Sequence, residues 1–69
     1  MKDIRMKFGA KVKDLRISKG YSQEKLAEKC AFDRTYISML ERAKRNPSYL
    51  NLLKLSQGLD IPLEELLKE

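Results

Sequence analysis

Apolar positions recur at helical spacing from one end of the 69-residue chain to the other, and no stretch alternates with the period of a strand. From residue 3 to about residue 19, Phe8, Val12 and Leu15 fall at i, i+4 and i+7, and Ile4 carries the stripe backward. Lys7, Lys11 and Lys13 lie between them, and Gly20 supplies a C-terminal stop. Ser22 and Asp33 each offer a side-chain oxygen to the free N–H groups of a following first turn, which predicts short helices over 23–30 and 34–43. Pro47 keeps the third helix from continuing, and Ser48 caps a fourth over about 49–58. There Tyr49, Leu52, Leu55 and Leu59 mark the core face, Leu50 and Leu53 fall to one side, and Gly58 weakens the last turn. Asp60-Ile61-Pro62 makes a corner before a last short helix over about 63–68, carrying Leu63, Leu66 and Leu67. The pattern predicts an all-α fold of five helices around one core. Its expected members are Phe8, Val12, Leu15, Tyr21, Leu26, Ala27, Phe32, Ile37, Leu40, Tyr49, Leu52, Leu55 and Leu59.

The second and third helices form the most informative pair. Ala27 is small enough for another helix to cross closely, and Ile37, ten residues on, can meet it there. Arg34, Thr35 and Tyr36 occupy the first turn of the third helix, outside the apolar set. A short helix, a tight turn and a second helix with polar residues at its N-terminal end is the helix-turn-helix plan for entering a DNA major groove.

Composition narrows the function classes. At 69 residues the chain reads as one small domain, residues 1–69, near the lower limit of what a single core can stabilise. It has no His, one Cys and no Trp, which excludes imidazole chemistry and any multi-cysteine metal or disulfide framework. Glu24, Glu28, Glu64 and Glu65 fall on solvent faces without a convergent acid–base pair, so no enzyme, metal or cofactor is expected. Cys30 ends an apolar pattern and reads as a small hydrophobe, and a lone cysteine fits a reducing cytoplasm. No apolar run approaches a membrane span, and Met1-Lys2-Asp3 leads into no signal-peptide core. The net charge of +5 is unevenly spread: residues 1–19 carry +5, residues 34–46 carry +3, and residues 59–69 carry −3. A basic body with an acidic end suits a polyanion on one side and a different partner on the other; a lysine-rich solvated surface is the plainer alternative.

The span from Phe8 to Leu66 resembles the xenobiotic-response-element type of helix-turn-helix regulators, which includes phage repressor and Cro-type DNA-binding domains. The resemblance is carried by Leu15-Arg16, Gly20-Tyr21-Ser22-Gln23, Leu26-Ala27, Ile37-Ser38, Leu40-Glu41-Arg42 and Asn46-Pro47-Ser48. Within that family, Asp33-Arg34-Thr35-Tyr36-Ile37-Ser38 with Glu41-Arg42 and Arg45-Asn46 looks like the controller proteins of restriction–modification systems. It also looks like regulators or N-terminal segments linked to DNA methyltransferases. The chain departs at Ala31, where the family usually places Gly or Asn in a left-handed conformation. Either Ala31 bears roughly 1 kcal/mol of strain there, or the turn uses another geometry.

The resemblance implies a role for each polar residue. It puts the first turn of the third helix against base edges. There Arg34 offers a fork to guanine O6 and N7, and Thr35 offers a hydroxyl and a methyl. A phosphate is the plainer partner for Arg34. Tyr36 either touches DNA or only shields the helix; Met39, one turn on, either meets a thymine methyl or packs. Gln23 resembles the family's phosphate contact at a helix N-terminus. Ser38, Arg42, Lys44, Arg45, Asn46 and Ser48 form a second backbone clamp. In the family, the equivalents of Arg16 and Glu41 form a structural ion pair that ties the reading helix to the scaffold. Leu50, Leu53, Leu63 and Leu67 exceed what one core needs, so they form a homodimer interface or cap the bottom of the core.

The expected function is sequence-specific transcription regulation by a dimer on operator half-sites, as in restriction–modification controllers. Double-stranded operator DNA, a second copy of the chain and RNA polymerase are the expected partners. The expected site is the cytoplasm, without membrane attachment. The competing readings are an ordinary phage-type repressor and an antitoxin-like helix-turn-helix protein whose main partner is another protein. A nonspecific chromatin-type binder is a further alternative, and salt dependence separates phosphate binding from protein binding.

Overall fold

The computed structural model describes residues 4–68, in which five helices follow one another: α1 (Ile4–Ser18), α2 (Gln23–Cys30), α3 (Arg34–Glu41), α4 (Tyr49–Leu59) and α5 (Leu63–Leu67). Asp3, where the apolar pattern suggests a start, lies outside the described residues. The all-α prediction holds, with no strand among the described residues.

Four of these helices end in the same way. The N–H of Tyr21 donates to Arg16 O at 3.0 Å, Phe32 to Ala27 O at 2.8 Å, Lys44 to Met39 O at 2.8 Å and Ile61 to Ser56 O at 3.0 Å. Each bond wraps the last turn back on itself through a residue of positive φ: Gly20 at 77°, Ala31 at 60°, Ala43 at 62° and Asp60 at 57°. Only the first of the four is a glycine. A side chain in this left-handed region costs roughly 1–2 kcal/mol, so Ala31 bears the strain rather than escaping it through another geometry. The ending at Ala43 also corrects the length of α3, which stops at Glu41, short of residue 43 and well before Pro47.

Two of the three expected caps form as hydrogen bonds. Ser22 Oγ accepts from the N–H of Lys25 at 3.0 Å, and Ser48 Oγ from the N–H of Asn51 at 3.1 Å. Asp33 departs from the expectation. It holds the extended cap conformation, but its carboxylate accepts no first-turn N–H, and its backbone carbonyl takes that of Tyr36 at 3.0 Å.

The buried core consists of Val12, Leu26, Ala27, Cys30, Ile37, Leu40, Leu55, Leu59 and Leu66. Phe8, Leu15, Tyr21, Phe32 and Leu52 pack half-buried against it. Tyr49 does not belong there: as the first residue of α4 it stands beyond the edge of the core and is 68% exposed. Leu66 supplies the missing volume, brought inward when α5 folds back over α1. Burial pushes the Cys30 thiol up to about 11, so it stays protonated and inert near neutrality.

Two glycines set how closely helices approach. A Cβ on Gly9 would collide with the backbone carbonyl oxygen of Leu40, and one on Gly58 with Cys30 Sγ. The first contact draws α1 against the end of α3, and the second draws α4 against the end of α2. Lys11 Nζ donates to the carbonyl oxygens of Glu65, at 2.6 Å, and of Lys68, closing the C-terminal end of α5. No helix among the described residues is long and apolar enough to cross a membrane.

Candidate nucleic-acid interface

Helices α2 and α3 are joined by Ala31, Phe32 and Asp33, with Ala27 and Ile37 both buried in the shared core. That packing leaves the N-terminal turn of α3 outside. Arg34 and Thr35 are exposed there, while Tyr36 and Met39 are half-buried further along. The two cationic and hydroxyl-bearing groups are thus free to meet a ligand, and the two larger side chains are partly committed to the protein.

Tyr36 is held from two sides. Its ring lies against Phe32, with centroids 4.6 Å apart and planes tilted by 53°. Its hydroxyl oxygen accepts a hydrogen bond of 2.8 Å from Asn51 Nδ2 on α4. Lys54 Nζ lies 5.5 Å from the centroid of the Phe32 ring. Sequence patterning did not single out Asn51, because nothing local links the first turn of α4 to a tyrosine fifteen residues earlier.

The orientation of α3 is fixed at its other end. Arg16 Nε donates to Glu41 Oε2 at 2.7 Å and Nη2 to Oε1 at 3.1 Å, while Nη1 reaches the carbonyl of Tyr21 at 2.8 Å. The two side chains are 12% and 4% exposed, so the expected pair is bidentate and almost out of water. Gln23 joins the same carboxylate, its Nε2 donating to Glu41 Oε1 at 3.1 Å. An amide nitrogen carries two donors, so one N–H of Gln23 is committed to the scaffold and the other is left for a ligand.

Segment 42–48, between α3 and α4, carries the remaining polar residues. Arg42, Lys44, Arg45, Asn46 and Ser48 are exposed, and Ser38 is half-buried on α3 beside them. Arg42 folds back, Nε donating to Ser38 O at 3.4 Å, which places its cation at the negative end of α3. The Ser48 hydroxyl caps α4, whose unpaired N–H groups open beside the same segment. Exposed cations next to a helix N-terminus and an exposed polar first turn of α3 are chemistry suited to a polyanion with a groove.

On α4 and α5, Leu50 and Leu67 are exposed, while Leu53 and Leu63 are half-buried, Leu63 against the core. The four leucines therefore divide: Leu50 and Leu67 are exposed, Leu53 is half-buried, and Leu63 serves partly as the floor of the core.

Known proteins share this arrangement. A family model described as helix-turn-helix matches residues 12–66. The control protein C.MunI of a Mycoplasma species is 49% identical over 70 residues, covering 100% of this chain and 95% of its own length. The control protein C.BamHI of Bacillus amyloliquefaciens is 48% identical, with 94% of this chain and 82% of its own covered. Among solved structures, the restriction–modification controller protein C.AhdI of Aeromonas hydrophila superposes with a TM-score of 0.87 at 47% identity, over 90% of this chain and 94% of its own.

Proposed function

The chain belongs to the helix-turn-helix family, and from that membership we propose that it is a DNA-binding transcription regulator of the restriction–modification controller kind, acting as a homodimer on operator half-sites. The observation that carries this reading is the exposed first turn of α3, held at a fixed angle by the Arg16–Glu41 pair, in a chain that is 49% identical to one control protein and 48% to another.

In this proposal Arg34 and Thr35 read base edges, with Tyr36 and Met39 beside them, Arg34 by its fork to guanine. Gln23, Ser38, Arg42, Lys44, Arg45, Asn46 and Ser48 hold the phosphate backbone on either side, adding affinity that falls with salt. Arg16 and Glu41 touch no DNA and keep α3 in place. Leu50, Leu53, Leu63 and Leu67 meet their symmetry mates in the dimer, and RNA polymerase is the partner through which occupancy becomes regulation.

The test compares Arg34→Ala with Arg45→Ala on a duplex selected by the wild-type protein and on random DNA. Arg34→Ala is expected to weaken the selected duplex about tenfold or more, and random DNA far less. Arg45→Ala is expected to weaken both alike and to lower the salt slope by about one. Equal losses on both duplexes for Arg34→Ala would remove it from the base readers.

A further inference from the structure

We propose that the outward face of α1 is a second self-association surface, on which two copies of the chain pack their α1 helices antiparallel. The proposal goes beyond the contact through α4 and α5 and does not depend on it.

The core takes one side of α1, through Val12 and Gly9, and leaves another side bare. On that bare side Met6, Ala10, Lys13 and Ile17 are all exposed, Met6 at 62% and Ile17 at 56%. Their spacing of four, three and four residues is that of a coiled-coil seam, continued over about three turns. Single exposed apolar residues are ordinary on a protein surface. A row of positions at this spacing supplies one ridge of a helix pair.

Charge decides the occupant and its direction. Lys7 and Asp14 lie along one flank of the seam, each one position after a seam residue. Two copies run parallel in register would set Lys7 against Lys7, Lys13 against Lys13 and Asp14 against Asp14. Run antiparallel about a two-fold axis, Met6 of each copy meets Ile17 of the other, and Lys13 meets Ala10. Lys7 of each then faces Asp14 of the other across the flank, an opposite-charge pair that the symmetry forms twice. The small Ala10 admits the lysine stem, whose ammonium runs out to water. A partner surface of one charge sign leaves either Lys7 or Asp14 unmatched, whereas a second copy matches both.

The contact leaves the first turn of α3 uncovered. Helix α1 touches α3 at its C-terminal end, where Gly9 meets the carbonyl of Leu40, and Arg34 and Thr35 lie at the other end. A seam of four side chains on each copy is smaller than a stable stand-alone interface. Pairing is therefore expected at high concentration, or where copies are already held close together.

The test is sedimentation velocity over a concentration series up to about 1 mM, the effective concentration of closely held copies. Whatever α4 and α5 contribute is common to every variant. The wild-type chain is expected to show a reversible association step that doubles its mass, and Ile17→Glu to remove that step with helical circular dichroism unchanged. Lys7→Glu and Asp14→Lys should each weaken the step roughly fivefold or more, because each turns two attractive pairs into repulsive ones. Lys7→Glu/Asp14→Lys should return it to within about twofold of wild type, the pairs being restored with their signs exchanged. The two residues are about 10 Å apart along their own helix, so only a contact between copies produces that rescue. An Ile17→Glu chain that associates like wild type would overturn the proposal. A double reversal as weak as either single change would overturn it too, as would a wild-type chain with no such step up to the highest concentration.

Discussion

Arg16 and Glu41 carry opposite charges into a place only 12% and 4% exposed, where each is tolerable because the other is there. Each nitrogen of the Arg16 guanidinium donates one hydrogen bond, and both oxygens of Glu41 accept. Removing one partner strands the other, and such losses run to about 3 kcal/mol or more. Arg16→Met is therefore expected to lower stability by about that much in urea unfolding, a large share of what a domain of this size possesses. Adding Glu41→Leu to it should restore a good part, because the second change removes the orphan; a double variant no more stable than the single one would contradict this account. The pair was legible in the sequence through the family resemblance. That Gln23 shares the carboxylate was not, because an amide at a helix start reads equally well as a phosphate contact.

At the scale of elements, chain-local chemistry located all five helices. Ser22, Ser48, Gly20 and Pro47 act on their immediate neighbours, and that is where sequence patterning is strong. It failed where the deciding contact is distant. Tyr49 shares the face of Leu52, Leu55 and Leu59, yet the core ends before its turn of α4 begins. Leu66 looks like its neighbours on α5, and only the packing of that helix makes it core. Gly9 was invisible within its apolar stripe because its role is set by a carbonyl 31 residues away, that of Leu40. Filling that contact forces backbone against side chain. Gly9→Ala is expected to cost about 1–3 kcal/mol and to lower the melting temperature by roughly 5–20 °C. Because the displaced neighbour is the end of α3, operator binding should weaken further than the loss of folded protein explains, which titration of DNA well below the melting point will show.

Across the whole molecule, charge and shape are divided. The exposed first turn of α3 and the basic segment 42–48 lie together, whereas the acidic end carries Asp60, Glu64 and Glu65 around α5. The longest dimension of the chain is 33 Å, close to the separation of roughly 34 Å between successive major-groove faces of DNA. In the proposed dimer, two copies side by side are expected to set their α3 helices about one helical turn of DNA apart. In the proposed dimer the leucines of α4 and α5 lie between them. Leu50 is 60% exposed, so Leu50→Glu is expected to spare the fold. It should shift sedimentation toward the monomer and abolish cooperative occupancy of paired half-sites, with the helical circular dichroism unchanged.

The left-handed endings of α2 and α3 have a consequence in terms of chirality. Alanine at positions 31 and 43 occupies a region that suits the opposite enantiomer, so the same chain made by chemical synthesis with D-alanine there would relax both bends. Glycine would relax them too, but it also frees the unfolded chain. The mirror-image residue keeps the methyl group and its restriction. The two bends that bracket α3 are thus places where handedness alone, with no change of composition, sets how firmly that helix is held.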